Sequence, residues 1–322
     1  MSERAFITGI LGQDGSYLNE ALLGAGVATM GSDRTAVFNG CSGTNRKPFD
    51  IGDSQQVRTW IADWKPTQIY HLAAVHGSSE DRTEDAADLF AQSLQVHAVG
   101  LAHLLEGIRT EAPEARLVFA ASSHVFGKPL ESPQGENTSM APTSPYGISK
   151  AAGIGICAHY RNQYGVRASS AILYNHESPR RSAGYVTQKI VRAGVAIKRG
   201  QQCRLVLGNL DARVDWSHAA DHMRALRLIT DVSSPGDFIV ASGQLNSVRN
   251  FGTHVFDCLD LNFEAYVDED RTLIKSLEPH SELVGNSEKL RQMTGWEPTF
   301  TLEDLARDMV EAELARTTSD SL

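Results

Sequence analysis

The stretch Ala5-Phe6-Ile7-Thr8-Gly9-Ile10-Leu11-Gly12-Gln13-Asp14-Gly15-Ser16-Tyr17-Leu18 decides how this chain is read. Residues 5–8 form a short apolar run, the pattern of a buried strand. The run breaks into glycines at 9, 12 and 15. A helical pattern follows, with Tyr17, Leu18, Ala21, Leu22 and Leu23 on its apolar face. Strand, glycine turn and helix in that order give a G-x-x-G-x-x-G loop its meaning. The glycines permit a tight turn and close backbone approach, and the helix N-terminus offers unbonded N–H groups to a pyrophosphate. Gly9, Gly12 and Gly15, with Gln13 and Asp14 between them, are therefore the first candidates for binding a dinucleotide.

Working outward, Val27 to Ser32 reads as a weak second strand that ends in Asp33-Arg34. An acidic residue there takes adenosine ribose hydroxyls and favours NAD, whereas an arginine receives a 2′-phosphate and favours NADP. Asp33 tilts the reading toward NAD, and Arg34 keeps NADP open. Asp50 and Ile51 in PFDIGD follow another strand signal and are placed near the adenine. The run Ile69-Tyr70-His71-Leu72-Ala73-Ala74 ends in small residues, so a cofactor can lie against its backbone.

Strand-like runs at 5–8, 68–73, 115–121 and 168–174 alternate with helical patterns at 16–24, 54–63, 85–108 and 146–163. This alternation predicts an α/β fold of Rossmann type, a doubly wound parallel sheet with helices on both faces. Residues 1–174 are assigned to the NAD(P)-binding domain, its sheet completed by parts of 205–245. Residues 175–322 are assigned mainly to a smaller, interleaved substrate lobe. A helix is expected from about Val186 to Gly200. Residues 205–222 read as a loop returning polar groups to the site, and 246–322 as short helices and turns.

Tyr146 and Lys150, spaced Y-x-x-x-K in SPYGISK, fall on one face of the predicted 146–163 helix. A lysine beside a phenol favours phenolate and lowers its pKa. The strand end AASSHVFG brings Ser122, Ser123 and His124 toward the carboxyl edge of the same sheet. Ser122 is placed to hold a substrate oxygen against the Tyr146 phenol. This set suits proton transfer at an alcohol while a hydride leaves the same carbon.

Composition narrows the classes. The 322 residues are 41% hydrophobic and carry a formal net charge of −9, which argues against nucleic acid or an anionic membrane as partner. No apolar run reaches membrane-span length, and MSERAFITG lacks the features of a signal peptide. Cys41, Cys157, Cys203 and Cys258 are dispersed, with no metal-ligand cluster among them. They fit reduced thiols in a cytoplasmic protein better than a disulfide frame or a zinc site. There is no G-x-S-x-G elbow to support a hydrolase.

Taken together, TGILGQDGSYL, SPYGISK, LYNHESPRR, VTQKI, LGNLDARVDW and ASGQLNSVRNF resemble the GDP-mannose 4,6-dehydratase family. These are extended short-chain dehydrogenase/reductases acting on nucleotide-linked sugars. The resemblance runs from about residue 5 to residue 310. It implies oxidation of a sugar at C4 by a nicotinamide cofactor, loss of water across C5 and C6, and return of the hydride to C6. It also implies Tyr146 as base, Lys150 as the residue that tunes it, and Ser122 where the family has threonine. Asn175 and Lys189 would face the sugar nucleotide. Ser123, Glu177, Arg181 and Arg213 complete the substrate-side candidates, with Arg180 as an alternative phosphate contact.

Three departures qualify that expectation. The family's S-T-S-E-L-Y-G carries a glutamate where His124 stands, the group expected to take the C5 proton. An imidazole of pKa about 6.5 also moves protons, so His124 keeps carbon-acid chemistry open without supplying the expected residue. Val214 stands at an arginine expected to grip a phosphate, and Glu278-Pro279-His280-Ser281 lacks a second arginine; bidentate arginines are a main grip on a pyrophosphate. The long arm after the second strand is cut to Thr35–Lys47, which favours a homodimer through the 85–108 and 146–163 helices over the family's tetramer. The sequence therefore predicts an NAD(P)-dependent sugar-nucleotide enzyme whose net reaction is epimerisation or keto-sugar oxidation/reduction. True dehydration with His124 is the alternative, and a non-catalytic cofactor-binding protein a remote one.

Overall fold

The computed structural model describes residues 3–33, 36–39, 45–46, 49–75, 85–273 and 282–319. Strand β1 (Arg4–Thr8) lies inside an eight-stranded sheet, and its Ala5, Phe6 and Ile7 are fully buried, as a strand covered on both faces requires. On one side follow β2 (Ala28–Asp33), β3 (Ala36–Asn39) and β4 (Asn45–Arg46). On the other stand β5 (Gln68–His71), β6 (Arg116–Ser122) and β7 (Arg167–Leu173). The chain then makes β8 (Asn175–Glu177), β9 (Leu205–Leu207) and β10 (Arg213–His218) outside this sheet and returns with β11 (Asp237–Val240) at its edge. The order is β11-β7-β6-β5-β1-β2-β3-β4, parallel from β11 to β2 and antiparallel across β2-β3-β4.

From β1 the chain moves outward to β2, then crosses back to β5 on the far side of β1. That reversal opens a crevice at the carboxyl ends of β1 and β5, where open α/β sheets bind ligands. The helices in chain order are α1 (Gln13–Gly24), α2 (Ser54–Trp64), α3 (Ala86–Leu94), α4 (Leu101–Glu111), α5 (Pro145–Tyr164), α6 (Val186–Lys198), α7 (Ala219–Asp231), α8 (Val248–Asp257), α9 (Phe263–Tyr266), α10 (Glu288–Thr294) and α11 (Leu302–Ser319). The period-two alternation of the strands sorts their side chains between two cores. Phe6, Leu117 and Phe119 pack with Val57 and Ile61 of α2, Leu104 of α4 and Ile154 of α5. Ala5, Ile7, Val118 and Ala120 face Leu18 of α1, Met223 and Leu226 of α7, and Leu290 of α10. A third core joins α6, α8, α11 and β10 through Ile190, Phe251, Val255, Trp216 and Met309. The second lobe thus has its own interior, while β11 completes the first sheet and α7 and α10 pack on it.

Three sequence expectations are corrected. The single helix expected over 85–108 is α3 and α4 joined by one π-helical turn, Gln95–Gly100. A π turn widens the helix by one residue, and here it contains His97, fully buried. The segment read as a loop at 205–222 contains β9, which pairs with β13 (Val267–Glu269), and β10, which pairs with β8 and with β12 (Leu245–Ser247). The three residues of β9 are too few to display alternation, and β10, RVDWSH, is mostly polar and shows no clean one. The C-terminal stretch read as short helices ends in the 18-residue α11, whose Leu305, Ala306, Met309 and Val310 are buried at helical spacing. No helix among the described residues is long and apolar enough to cross a membrane.

Candidate active site

The glycine loop shapes one end of the crevice. Gly9 sits at φ +75°, and a Cβ there would lie 3.0 Å from the Ala73 nitrogen. Its own N–H donates to Ser32 O at 2.7 Å, fixing the loop to the end of β2. Gly12 caps α1 with no side-chain partner for the helix's first N–H groups, leaving these donors to a ligand. Gly15 lets α1 pack onto the turn, since a Cβ there would fall 2.2 Å from Gly9 O and 2.6 Å from Ile10 Cα. Substituting Gly15→Ala is expected to push α1 off the loop. Overpacking of this kind costs about 1–3 kcal/mol, and dinucleotide affinity, read by equilibrium titration, should fall more than tenfold.

The crevice continues as a cavity of about 660 Å³. Gly9, Gly12, Gln13, Asp14, Gly15, Asp33, Asp50, Ile51, Leu72, Ala73 and Ala74 line it on one side. Ser122, His124, Tyr146, Lys150, Asn175, His176, Arg180, Arg181, Ser182 and Tyr185 line it on the other. The bare-backbone cradle, the open helix N-terminus and an acidic residue at the end of β2 fit a dinucleotide. Arg34 and the 278–281 segment lie outside the described residues.

Four substrate-side candidates do not reach the cavity wall. Ser123 is buried in the short 3-10 turn Ser123–Phe126. Glu177 is drawn beneath α6, where it accepts from Thr187 Oγ1 at 2.7 Å and pairs with Arg181 at 3.3 Å. Lys189 lies one turn into α6 beyond Tyr185, and Arg213 pairs with Glu282 at 3.2 Å at the exposed start of β10. Asp14 lines the cavity but spends its carboxylate on His176, at 3.0 and 3.1 Å. Burial works to raise Asp14, yet the His176 charge and hydrogen bond, with help from Gln13 and Arg181, hold it well below the usual carboxylate range. Gln13 extends this link, donating to His176 O and accepting from Ser178 Oγ. The glycine loop is thus bonded directly to β8 and the arginine-bearing segment after it.

Tyr146 enters from the first turn of α5. Ser144 accepts from Gly147 N at 3.1 Å as N-cap, and Pro145 occupies the first turn where its missing N–H costs nothing. The Ser122 hydroxyl hydrogen-bonds to the phenol. His124 stands edge-on to the ring, centroids 5.7 Å apart. Lys150 is buried, donating from Nζ to Ala120 O at 2.6 Å and lying 5.5 Å from the Tyr146 ring centroid.

This geometry overturns one expectation. The spacing does bring Lys150 beside Tyr146, but the phenol is pushed up to about 12 by burial, with only partial relief from Ser122. Burial also lowers Lys150 to about 7, against the opposing pull of Asp14. Low dielectric disfavours both charged forms, so the phenol is protonated at neutral pH and the ammonium is poised to lose its proton. Burial lowers His124 as well, so its imidazole is neutral near pH 7.

Sequence reasoning missed Tyr185, His176 and His97. Tyr185 lines the cavity and stacks under the Arg181 guanidinium, 3.5 Å from ring centroid to Cζ. His97 is one of two histidines in the 85–108 helical pattern, and no spacing signal marks it.

A parallel sheet with a glycine cradle at its switch point and a Ser-Tyr-Lys set on the facing wall defines an extended short-chain dehydrogenase/reductase. Solved structures share this fold. The Pseudomonas aeruginosa RMD complexed with NADPH superposes with a TM-score of 0.81 at 22% identity, covering 98% of this chain and 100% of that one. The Thermotoga maritima UDP-glucose 4-epimerase with UDP-glucose also gives 0.81, at 19% identity and 98% and 99% coverage. The family profile described as GDP-mannose 4,6 dehydratase matches residues 6–309, and the chain belongs to that family. Its relatives include GDP-mannose 4,6 dehydratase 2 of Arabidopsis thaliana, 35% identical over 96% of this chain and 86% of the relative. The human GDP-mannose 4,6 dehydratase is 34% identical over 97% and 92%.

Proposed function

We propose that the protein is an NAD(P)-dependent enzyme that moves a hydride at a ring carbinol, C4 by preference, of a nucleotide sugar. The observation that carries this reading is the convergence of Ser122, Tyr146 and Lys150 on the same cavity as the glycine loop. Bound there, an oxidised nicotinamide supplies the hydride acceptor and a positive ring charge. Ser122 orients the substrate hydroxyl toward the phenol. Tyr146 takes its proton as the carbon–hydrogen bond breaks, and Lys150, in its cationic form, favours the resulting phenolate. Asp33 at the end of β2 supports NAD over NADP.

His124 governs the fate of the resulting ketone. A neutral imidazole beside Tyr146 accepts a proton from the carbon next to that ketone, or returns one. It lacks the standing negative charge of the family's glutamate, so expulsion of a neighbouring hydroxyl receives less help. Net epimerisation or keto-sugar oxidation/reduction is the favoured outcome. The second reading, true 4,6-dehydration, is supported by family membership over nearly the whole chain. Mass spectrometry of GDP-mannose incubated with the enzyme and cofactor separates them. A product of unchanged mass, or one differing by two hydrogens, is expected; loss of one water would establish the dehydratase reading. The active unit is read as a cytoplasmic homodimer through the two long helices over 85–108 and 146–163, where Val99 on the π turn and Ile148 and Tyr164 on α5 leave apolar surface exposed.

A further inference from the structure

The turn after β5 is tied to the widened helix by two buried relays. In the first, Ala73 N–H donates to Thr8 Oγ1 at 3.1 Å, Thr8 contacts His71 Nδ1 at 2.8 Å, and His71 Nε2 contacts Val96 O at 3.0 Å. In the second, Val75 N–H donates to His97 Nε2 at 3.1 Å, His97 Nδ1 meets Ser149 Oγ at 2.8 Å, and Ser149 Oγ donates to Tyr146 O at 2.8 Å. Each relay begins at a backbone N–H and ends at a backbone carbonyl. The ends fix every proton between them. His97 must accept at Nε2 and donate from Nδ1, and Ser149 must accept from His97 and donate to Tyr146. His97 and Ser149 are both fully buried, so water does not compete for these bonds, and the His97 ring also packs edge-on against the Tyr146 ring at 5.4 Å.

We propose that His97 is a positioning residue that couples the Ala73–Val75 turn, on the dinucleotide side of the cavity, to the placement of Tyr146. The π turn serves this coupling by carrying His97 between the two. The role rests on the reading of Tyr146 as the base and adds to it a reason why cofactor and base stay in register. Its two ring nitrogens do separate jobs. Nε2 holds the turn against which the dinucleotide lies; Nδ1, through Ser149, holds the first turn of α5.

Two conservative variants divide those jobs. In His97→Asn the amide nitrogen reaches the place of Nδ1 and nothing reaches Val75. In His97→Gln the amide oxygen reaches the place of Nε2 and Ser149 loses its donor. Dinucleotide titration and turnover of GDP-mannose are measured on both. His97→Asn is expected to weaken dinucleotide binding about tenfold with kcat within about threefold of wild type, and His97→Gln to do the reverse, since each loses one buried hydrogen bond. Nitrogen-15 spectra of the histidines, with His97 assigned from its absence in His97→Gln, should show the hydrogen on Nδ1. Equal effects of the two variants on both constants, or a hydrogen on Nε2, would overturn the proposal. The titration and the spectra need no sugar. If wild type leaves GDP-mannose untouched, the substrate reading fails while these two measurements still decide the role of His97.

Discussion

Replacing Tyr146 with Phe is expected to lower kcat on any sugar the enzyme accepts by about 10²–10⁴-fold, the usual contribution of a positioned acid–base group. The effect is confined to chemistry because the ring stays. Phe keeps the edge contacts with His97 and His124 and the face beneath Lys150. Only the hydroxyl goes, and with it the hydrogen bond to Ser122. Melting temperature and dinucleotide affinity should therefore stay close to wild type. Steady-state kinetics beside a thermal melt make the comparison, and unchanged turnover would remove Tyr146 from the mechanism.

The second large effect has opposite signs for activity and stability. Lys150→Met should abolish turnover to a similar degree yet make the ligand-free protein more stable at neutral pH. In the unfolded chain Lys150 titrates at its ordinary 10.5, and in the fold burial brings it to about 7. Between those values the unfolded state binds more protons, so stability rises with pH across that window and is lowest below it. Methionine removes the penalty of a buried ammonium and fills similar volume, although it leaves Ala120 O without its 2.6 Å donor. Exchanging buried charge for apolar packing commonly gains about 1–4 kcal/mol, and the lost hydrogen bond places the expectation toward the lower end. Thermal melts from neutral to alkaline pH should show a rise in wild type that flattens in Lys150→Met. A variant less stable than wild type at pH 7 would contradict the buried-lysine account.

Much of the fold is written in contiguous sequence. The β1 run, the glycine loop and α1 are neighbours in the chain, so their order alone sets the dinucleotide end. The Tyr146–Lys150 pair is equally local, since one helical turn brings the two together. What spacing does not carry is the dielectric around them. Neighbours implied an acidic phenol; burial gives one held at about 12. Glu177 stood among the substrate-side candidates, but Thr187 on α6 draws it inward. His97 escaped because its partners, Val75 and Ser149, are 22 and 52 residues away. The antiparallel β2-β3-β4 edge is a local meander of short strands with no clear alternation, and the three-residue strands of the second lobe are set by long-range pairing that no local period announces.

In the proposed reaction a sugar carbinol hydrogen leaves as hydride while Tyr146 takes the hydroxyl proton. GDP-mannose deuterated at C4 tests it directly, with wild type and Tyr146→Phe each loaded with nicotinamide cofactor and the fate of the label followed by mass spectrometry and proton NMR. Wild type is expected to move the deuterium off C4 onto the nicotinamide, where it stays or from which it returns to the sugar, and Tyr146→Phe to leave it in place. Deuterium that never reaches the nicotinamide in wild type under conditions where product forms, or that moves equally well in Tyr146→Phe, would contradict it.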